Sequence, residues 1–187
     1  MHALPRSLTS IALATTLAIA AAPRAEAARP TFTQEFNIET VPCQGLAVDG
    51  ARYSYAAGAS SVFCEAGTAG PTTSNIMPPA LLFGAGGVLQ IRFDVPTTVF
   101  GFGVAQFSQQ ALPQSVIVDL FSPGKGTVRR QLTLDNFPDP DFAGGRFEYR
   151  GPAISAATIR IANDTSGRPV AIDDVTYARP PGRARGR

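Results

Sequence analysis

The chain has 187 residues, 44% of them hydrophobic and 16% charged, with two cysteines, one histidine and no tryptophan. Its formal charge is +2, yet residues 28–178 hold ten basic and thirteen acidic side chains, which excludes nucleic-acid binding by a basic domain. The one histidine is His2, so a Ser-His-Asp triad or a His-bearing zinc site has no histidine to use after the leader.

At the N-terminus, His2 and Arg6 precede an apolar run from Leu8 to Ala22, and Ala25-Glu26-Ala27 supplies the small residues that signal peptidase accepts. The run is shorter than the roughly 20 residues a spanning helix needs. Residues 1–27 therefore read as a signal peptide, giving a secreted or periplasmic chain. No later segment is apolar enough to span a membrane. Residues 28–178 suit one domain. Residues 179–187, rich in Pro, Gly and Arg, read as a disordered basic tail.

Thr31 to Glu39 alternates, with Phe32, Gln34, Phe36 and Ile38 on one side, and reads as an opening strand. Val41 to Gly45 breaks it. In an exported chain Cys43 and Cys64 form an isolated pair, expected to close a disulfide. Ala51 to Ala56 is the next strand, with Tyr53 and Tyr55 on one face, and Ser60 to Cys64 a short third. Gly67 to Pro79 reads as a loop. Ala80 to Phe83 leads through glycines into Val88 to Val95, where Leu89, Ile91, Phe93 and Val95 alternate with Gln90, Arg92 and Asp94. Pro96 to Thr98 should interrupt the strand. Val99 to Phe107 is apolar on both faces, as a central strand of a packed sheet is. Ser115 to Ser122, a turn at Pro123 to Gly126, and Thr127 to Leu134 make a hairpin, and Asp135 to Gly145 a loop. Arg146 to Tyr149, Ala157 to Ala162 and Val170 to Tyr177 complete the set. Many short strands without helical periodicity predict an all-β, antiparallel two-sheet β-sandwich of jelly-roll type.

Val170 to Tyr177 resembles the closing strand of bacterial secreted jelly-roll modules related to carbohydrate-binding domains, many of them in proteins with a PEP-CTERM sorting signal. It is also similar to the closing strand of MAM domains. Ala80-Leu-Leu-Phe83, Gly86-Gly87, Ile91 to Pro96 and Phe100-Gly-Phe102 resemble that family's central hairpin, and Glu39 to Pro42 with Gly50 to Tyr53 its opening strand and turn. Two features depart from the pattern: no sorting helix follows Tyr177, and Gly103 stands where such modules often carry an acidic residue.

The resemblance implies a structural Ca2+ held between an acid of the opening strand and an aspartate of the closing one. That points to Glu39 and Asp174, with Asp173 as the alternative ligand. The run Ile172-Asp173-Asp174-Val175 also breaks alternation, because two carboxylates separate two core residues. A bulge would reconcile this by turning one Asp inward, where it needs a partner. Asp135, Asp139 and Asp141 could form a second cation site, although Pro138 and Pro140 favour an ordinary turn. For ligand binding the candidates are Tyr53, Tyr55 and Arg52, with Tyr149 and Arg146 behind them. A sugar face stacks on a Tyr ring while Arg fixes hydroxyls, but two Tyr spaced two apart on a strand more often pack inward. Asn163-Asp164-Thr165 matches a glycosylation sequon and reads as a turn. The expected function is a non-catalytic exported module whose partner is glycan or another cell-envelope polymer. A structural or assembly protein of the cell surface is the alternative, and a glycoside hydrolase with paired carboxylates the third class.

Overall fold

The structure is a computed structural model that describes residues 31–57, 63–136, 138–162 and 168–178. The expected signal peptide, the tail, most of the Ser60 to Cys64 strand and the Asn163 sequon lie outside the described residues. Among the described residues every regular element is a β-strand and every pairing is antiparallel. No helix there is long and apolar enough to cross a membrane.

Two strands of 20 residues, β7 (Val88–Phe107) and β10 (Phe142–Ile161), pair along their lengths and pass from one layer of the sandwich into the other. In the first layer the second half of β7 and the first half of β10 lie beside β11 (Pro169–Ala178), β6 (Ala80–Gly84), β5 (Cys64–Thr68) and β2 (Val41–Pro42). There β1 (Thr31–Gln34) closes on the end of β11. In the second layer the other halves of β7 and β10 lie among β3 (Ala47–Val48), β4 (Ala51–Ala56), β8 (Leu112–Ser122) and β9 (Gly126–Leu134). The core fills the space between, built on Phe36, Tyr53, Phe83, Phe100, Phe102, Leu120 and Tyr177.

The expected break at Pro96 to Thr98 is a bend within a continuous strand. Pro96 is exposed, and Thr97 is buried with its hydroxyl donating to the Val99 carbonyl (2.6 Å) and accepting from the Val99 and Ala178 amides (3.2 and 2.9 Å). Opposite, the register of β10 slips between Arg150 and Ala156, so the segments expected as two strands are one. Such irregularities let a strand turn from one sheet to another.

Just after the expected third strand, Cys64 to Thr68 forms β5, which pairs with β6. The opening strand stops at Gln34: Phe36 has φ +49° and turns its ring fully into the core, and Ile38 donates back to the Phe36 carbonyl. Burial still alternates from Phe32 to Ile38. Cys43 and Cys64 form the disulfide, tying the β2 edge to β5.

The double-sided burial of residues 100–106 has a specific cause. The segment from Ala69 to Pro79 crosses the outer face of the first layer as a strap. Ile76 packs with Ala80, Ala105, Ala171 and Leu82. The Asn75 carbonyl lies so close to Gly103 that a Cβ there would collide with it. Thr73 accepts from the amides of Asn75 and Ile76, and Asp139 accepts from the Ser74 amide at 2.8 Å. The absent acid at Gly103 is therefore a steric requirement of the strap.

Candidate functional site

The structure turns Tyr53 and Tyr55, expected as an aromatic ligand surface, toward the interior of the sandwich. Tyr53 is buried, edge-on to Phe36 at 5.6 Å, and its hydroxyl has no hydrogen-bond partner. Burial, and after it the neighbouring Tyr177 and Asp49, raises its pKa well above that of a free phenol. Tyr55 is half-buried under Gly87 and donates its hydroxyl to the Gly84 carbonyl at 2.9 Å. On β4 the polar Arg52 and Ser54 take the outer face, which leaves the core to the rings. Arg52 is exposed and pairs with Asp94 at 2.9 Å. Tyr149 is also buried and donates to the Pro152 carbonyl, where the register of β10 slips.

The acids of the closing strand sit at the bulge that their sequence implied. Ile172 and Val175 are both fully buried, the register of β11 on β7 slips between Asp173 and Thr176, and Asp174 adopts φ +51°. Asp173 is only 1% exposed, beneath the strap. Its Oδ2 accepts the Met77 amide at 3.0 Å, and its Oδ1 has no partner. Burial pushes its pKa up to about 6, helped by the charges of Asp174 and Glu35 and opposed by the Asp174 and Met77 amides. Asp174 is paired with Arg146 at 3.2 Å, and Arg146 also lies 3.6 Å from Glu148.

These residues do not fit a calcium cage. The opening-segment carboxylate whose charge Asp173 feels is Glu35, not Glu39, and Asp174 already carries a guanidinium. Among the described residues no group of three or more acidic, His or Cys side chains is placed to hold a metal ion. Asp139 and Asp141 have other work: one holds the strap, and the other accepts from Gln109 Nε2 at 3.4 Å.

A concave site among the described residues lies elsewhere, at the rim where β7 ends. A cleft of about 370 Å³ is lined by Phe107, Ser108, Gln109, Gln110 and Arg168. A second of about 220 Å³ adjoins it, sharing Phe107, Ser108 and Arg168 and reaching Leu112, Ser115 and Ile161. Phe107 is 48% exposed, although nearly every other large apolar side chain described is covered. The register sets Phe142 opposite it, and the rings meet edge-to-face at 5.8 Å. The Arg168 guanidinium stands 5.9 Å from the Phe107 ring centre. Ser108 donates to the Gln110 carbonyl at 2.7 Å and accepts its amide, which shapes the turn so that the glutamines face outward. The Ser115 hydroxyl is buried in the second cleft without a hydrogen-bond partner.

The cleft thus offers an aromatic ring flanked by neutral and cationic donors, the arrangement that recognises a polyhydroxylated ligand with an apolar face. None of its residues was among the sequence candidates. Phe107 read as the last residue of a central strand, Phe142 as part of a loop, and Arg168 carried no motif. The signal that was present is an aromatic residue followed at once by Ser108-Gln109-Gln110.

No protein-family model matches the chain, and no curated protein matches it. Among solved structures it is similar to a variant of a family 29 carbohydrate-binding module, with 7% identity over 79% of this chain and 91% of that one, at a TM-score of 0.43. A second variant of that module, complexed with cellulohexaose, gives 8%, 80%, 92% and 0.41. A family 22 xylan-binding domain gives 16%, 82%, 96% and 0.42.

Proposed function

We propose that this chain is a non-catalytic, exported β-sandwich module that binds neutral glycan in the Phe107 cleft. The observation that carries the reading is the half-exposed Phe107 ring set among Ser108, Gln109, Gln110 and Arg168. A sugar ring stacking there exchanges wet apolar surface for contact, and the amide and guanidinium donors take its hydroxyls. The Cys43–Cys64 disulfide supports a site of action in an oxidising compartment. Asp173, the carboxyl whose pKa is raised, lies under the strap and lines neither cleft, so it is not poised to attack or protonate a bound sugar. Structural calcium is no part of this reading.

A glycan array followed by calorimetry tests it. Wild-type protein binds a neutral oligosaccharide, Phe107→Ala loses about tenfold or more in affinity, and Phe107→Tyr retains it. Silence across the array, or a Phe107→Ala variant that binds as tightly as wild type, overturns the proposal and returns the structural or assembly role. Turnover of chromogenic glycosides overturns the non-catalytic part.

A further inference from the structure

The outer face of the second layer has no strap among the described residues, and it differs in charge from the rest of the domain. The registers set its outward side chains in rows across the strands. One row runs Arg52, Arg92, Ala156, Phe121, Thr127; the next runs Ser54, Gln90, Thr158, Asp119, Arg129; beyond them Ala56 pairs with Val88, and Arg160 with Ile117 and Gln131. Residues 28–178 have ten basic and thirteen acidic side chains, and this face takes four arginines but, with Asp94 at its margin, only two acids. The remainder is therefore acidic and the face is basic.

Two of the four arginines are internally neutralised. Arg52 pairs with Asp94, and Arg129 grips Asp119 with two hydrogen bonds of 2.7 and 2.9 Å. Arg92 and Arg160 have no carboxylate within ion-pair distance among the described residues. Arg92 Nε donates to Gln90 Oε1 at 3.2 Å, which Ser54 also approaches, and Arg160 stands near the Arg129–Asp119 pair. They lie on adjacent strands four residues apart, about 14 Å along the sheet. Between them are neutral hydrogen-bonding side chains, Gln90 and Thr158.

We infer that this face is a second binding surface, distinct from the Phe107 cleft, and that its ligand is an acidic polysaccharide bearing carboxylates. Two separated guanidiniums meet carboxylates on spaced sugars, and the amides and hydroxyls between them meet sugar hydroxyls. Nucleic acid fits less well. Its backbone presents a charge every 1.7 Å or so of duplex, and an acidic domain around so small a basic face repels the excess. A lipid surface also fits less well, because the face has one half-buried ring, Phe121, and no exposed apolar rim.

The probe is polygalacturonate, measured beside its fully methyl-esterified form by affinity electrophoresis and calorimetry at several salt concentrations. Wild-type protein is expected to bind the acid form with a salt-dependent affinity and the ester at least tenfold more weakly. Arg92→Gln with Arg160→Gln should lose about tenfold while melting as wild type does, and the double Lys variant should recover part of the loss. Equal binding of acid and ester, unaltered binding by a folded Gln variant, or tighter capture of duplex DNA or anionic vesicles than of polygalacturonate would each overturn the inference. Neutral-glycan binding at Phe107 is scored separately, so failure of one site leaves the other legible.

Discussion

Asp173 should make this protein more stable in mild acid than at neutral pH. The fold raises its pKa from 3.8 to about 6, so the folded state prefers the protonated carboxyl. Stabilisation from such a group is fully present below the unfolded pKa and is lost as pH rises through the folded one. A rise of that size corresponds to about 3 kcal/mol between the extremes of pH, of which about 1 kcal/mol falls between about pH 5 and pH 7.5. Asp119 works the other way, since Arg129 holds its carboxyl below the usual range, but its stabilisation is lost only in stronger acid. No histidine other than His2 is present to titrate in the window. Thermal melts at about pH 5 and pH 7.5 should therefore differ by roughly 2–4 °C in favour of the acid side. Asp173→Asn keeps an acceptor for the Met77 amide and should abolish the slope. A wild type that melts higher at pH 7.5, or an Asn variant with an unchanged slope, refutes the burial argument.

Three further outcomes follow from the packing. Tyr53→Phe removes a buried hydroxyl with no partner, so it should leave stability unchanged or raise it by up to about 1 kcal/mol in a denaturant titration; a loss larger than that means the hydroxyl is satisfied. Gly103→Ala drives a methyl into the Asn75 carbonyl and should cost about 1–3 kcal/mol and speed proteolysis within residues 69–79, whereas unchanged cleavage there contradicts the strap. Reduction of Cys43–Cys64, which are 21 residues apart, should destabilise the fold by about 3 kcal/mol on the chain-entropy account, read as a shift in the denaturant midpoint.

What was legible in the sequence was local pattern. The alternation from Leu89 to Asp94 gave the correct inner and outer faces, and the paired acids between Ile172 and Val175 implied the bulge that Asp174 makes. The double-sided apolar run at Phe100 to Gln106 marked a central strand, but nothing local says that a distant upstream loop, carrying Ile76, supplies its outer cover. Tyr53 and Tyr55 share the inner face of β4, as their spacing of two predicts. Their neighbours Arg52 and Ser54, both polar, already argued that the tyrosines pack inward. The cleft escaped because its parts meet only through register: Phe142 reaches Phe107 by the β7–β10 ladder, and Arg168 arrives at the start of β11. The resemblance points to Glu39, whereas the opening-segment carboxylate whose charge acts on Asp173 is Glu35, just past the end of β1 at Gln34.

The most direct measurement is a calorimetric titration of wild-type and Phe107→Ala protein with the best neutral glycan from an array. Saturable binding by the first and at least tenfold weaker binding by the second, with equal melting temperatures, is the predicted result. Identical isotherms for the two proteins, or flat ones for both, would contradict it.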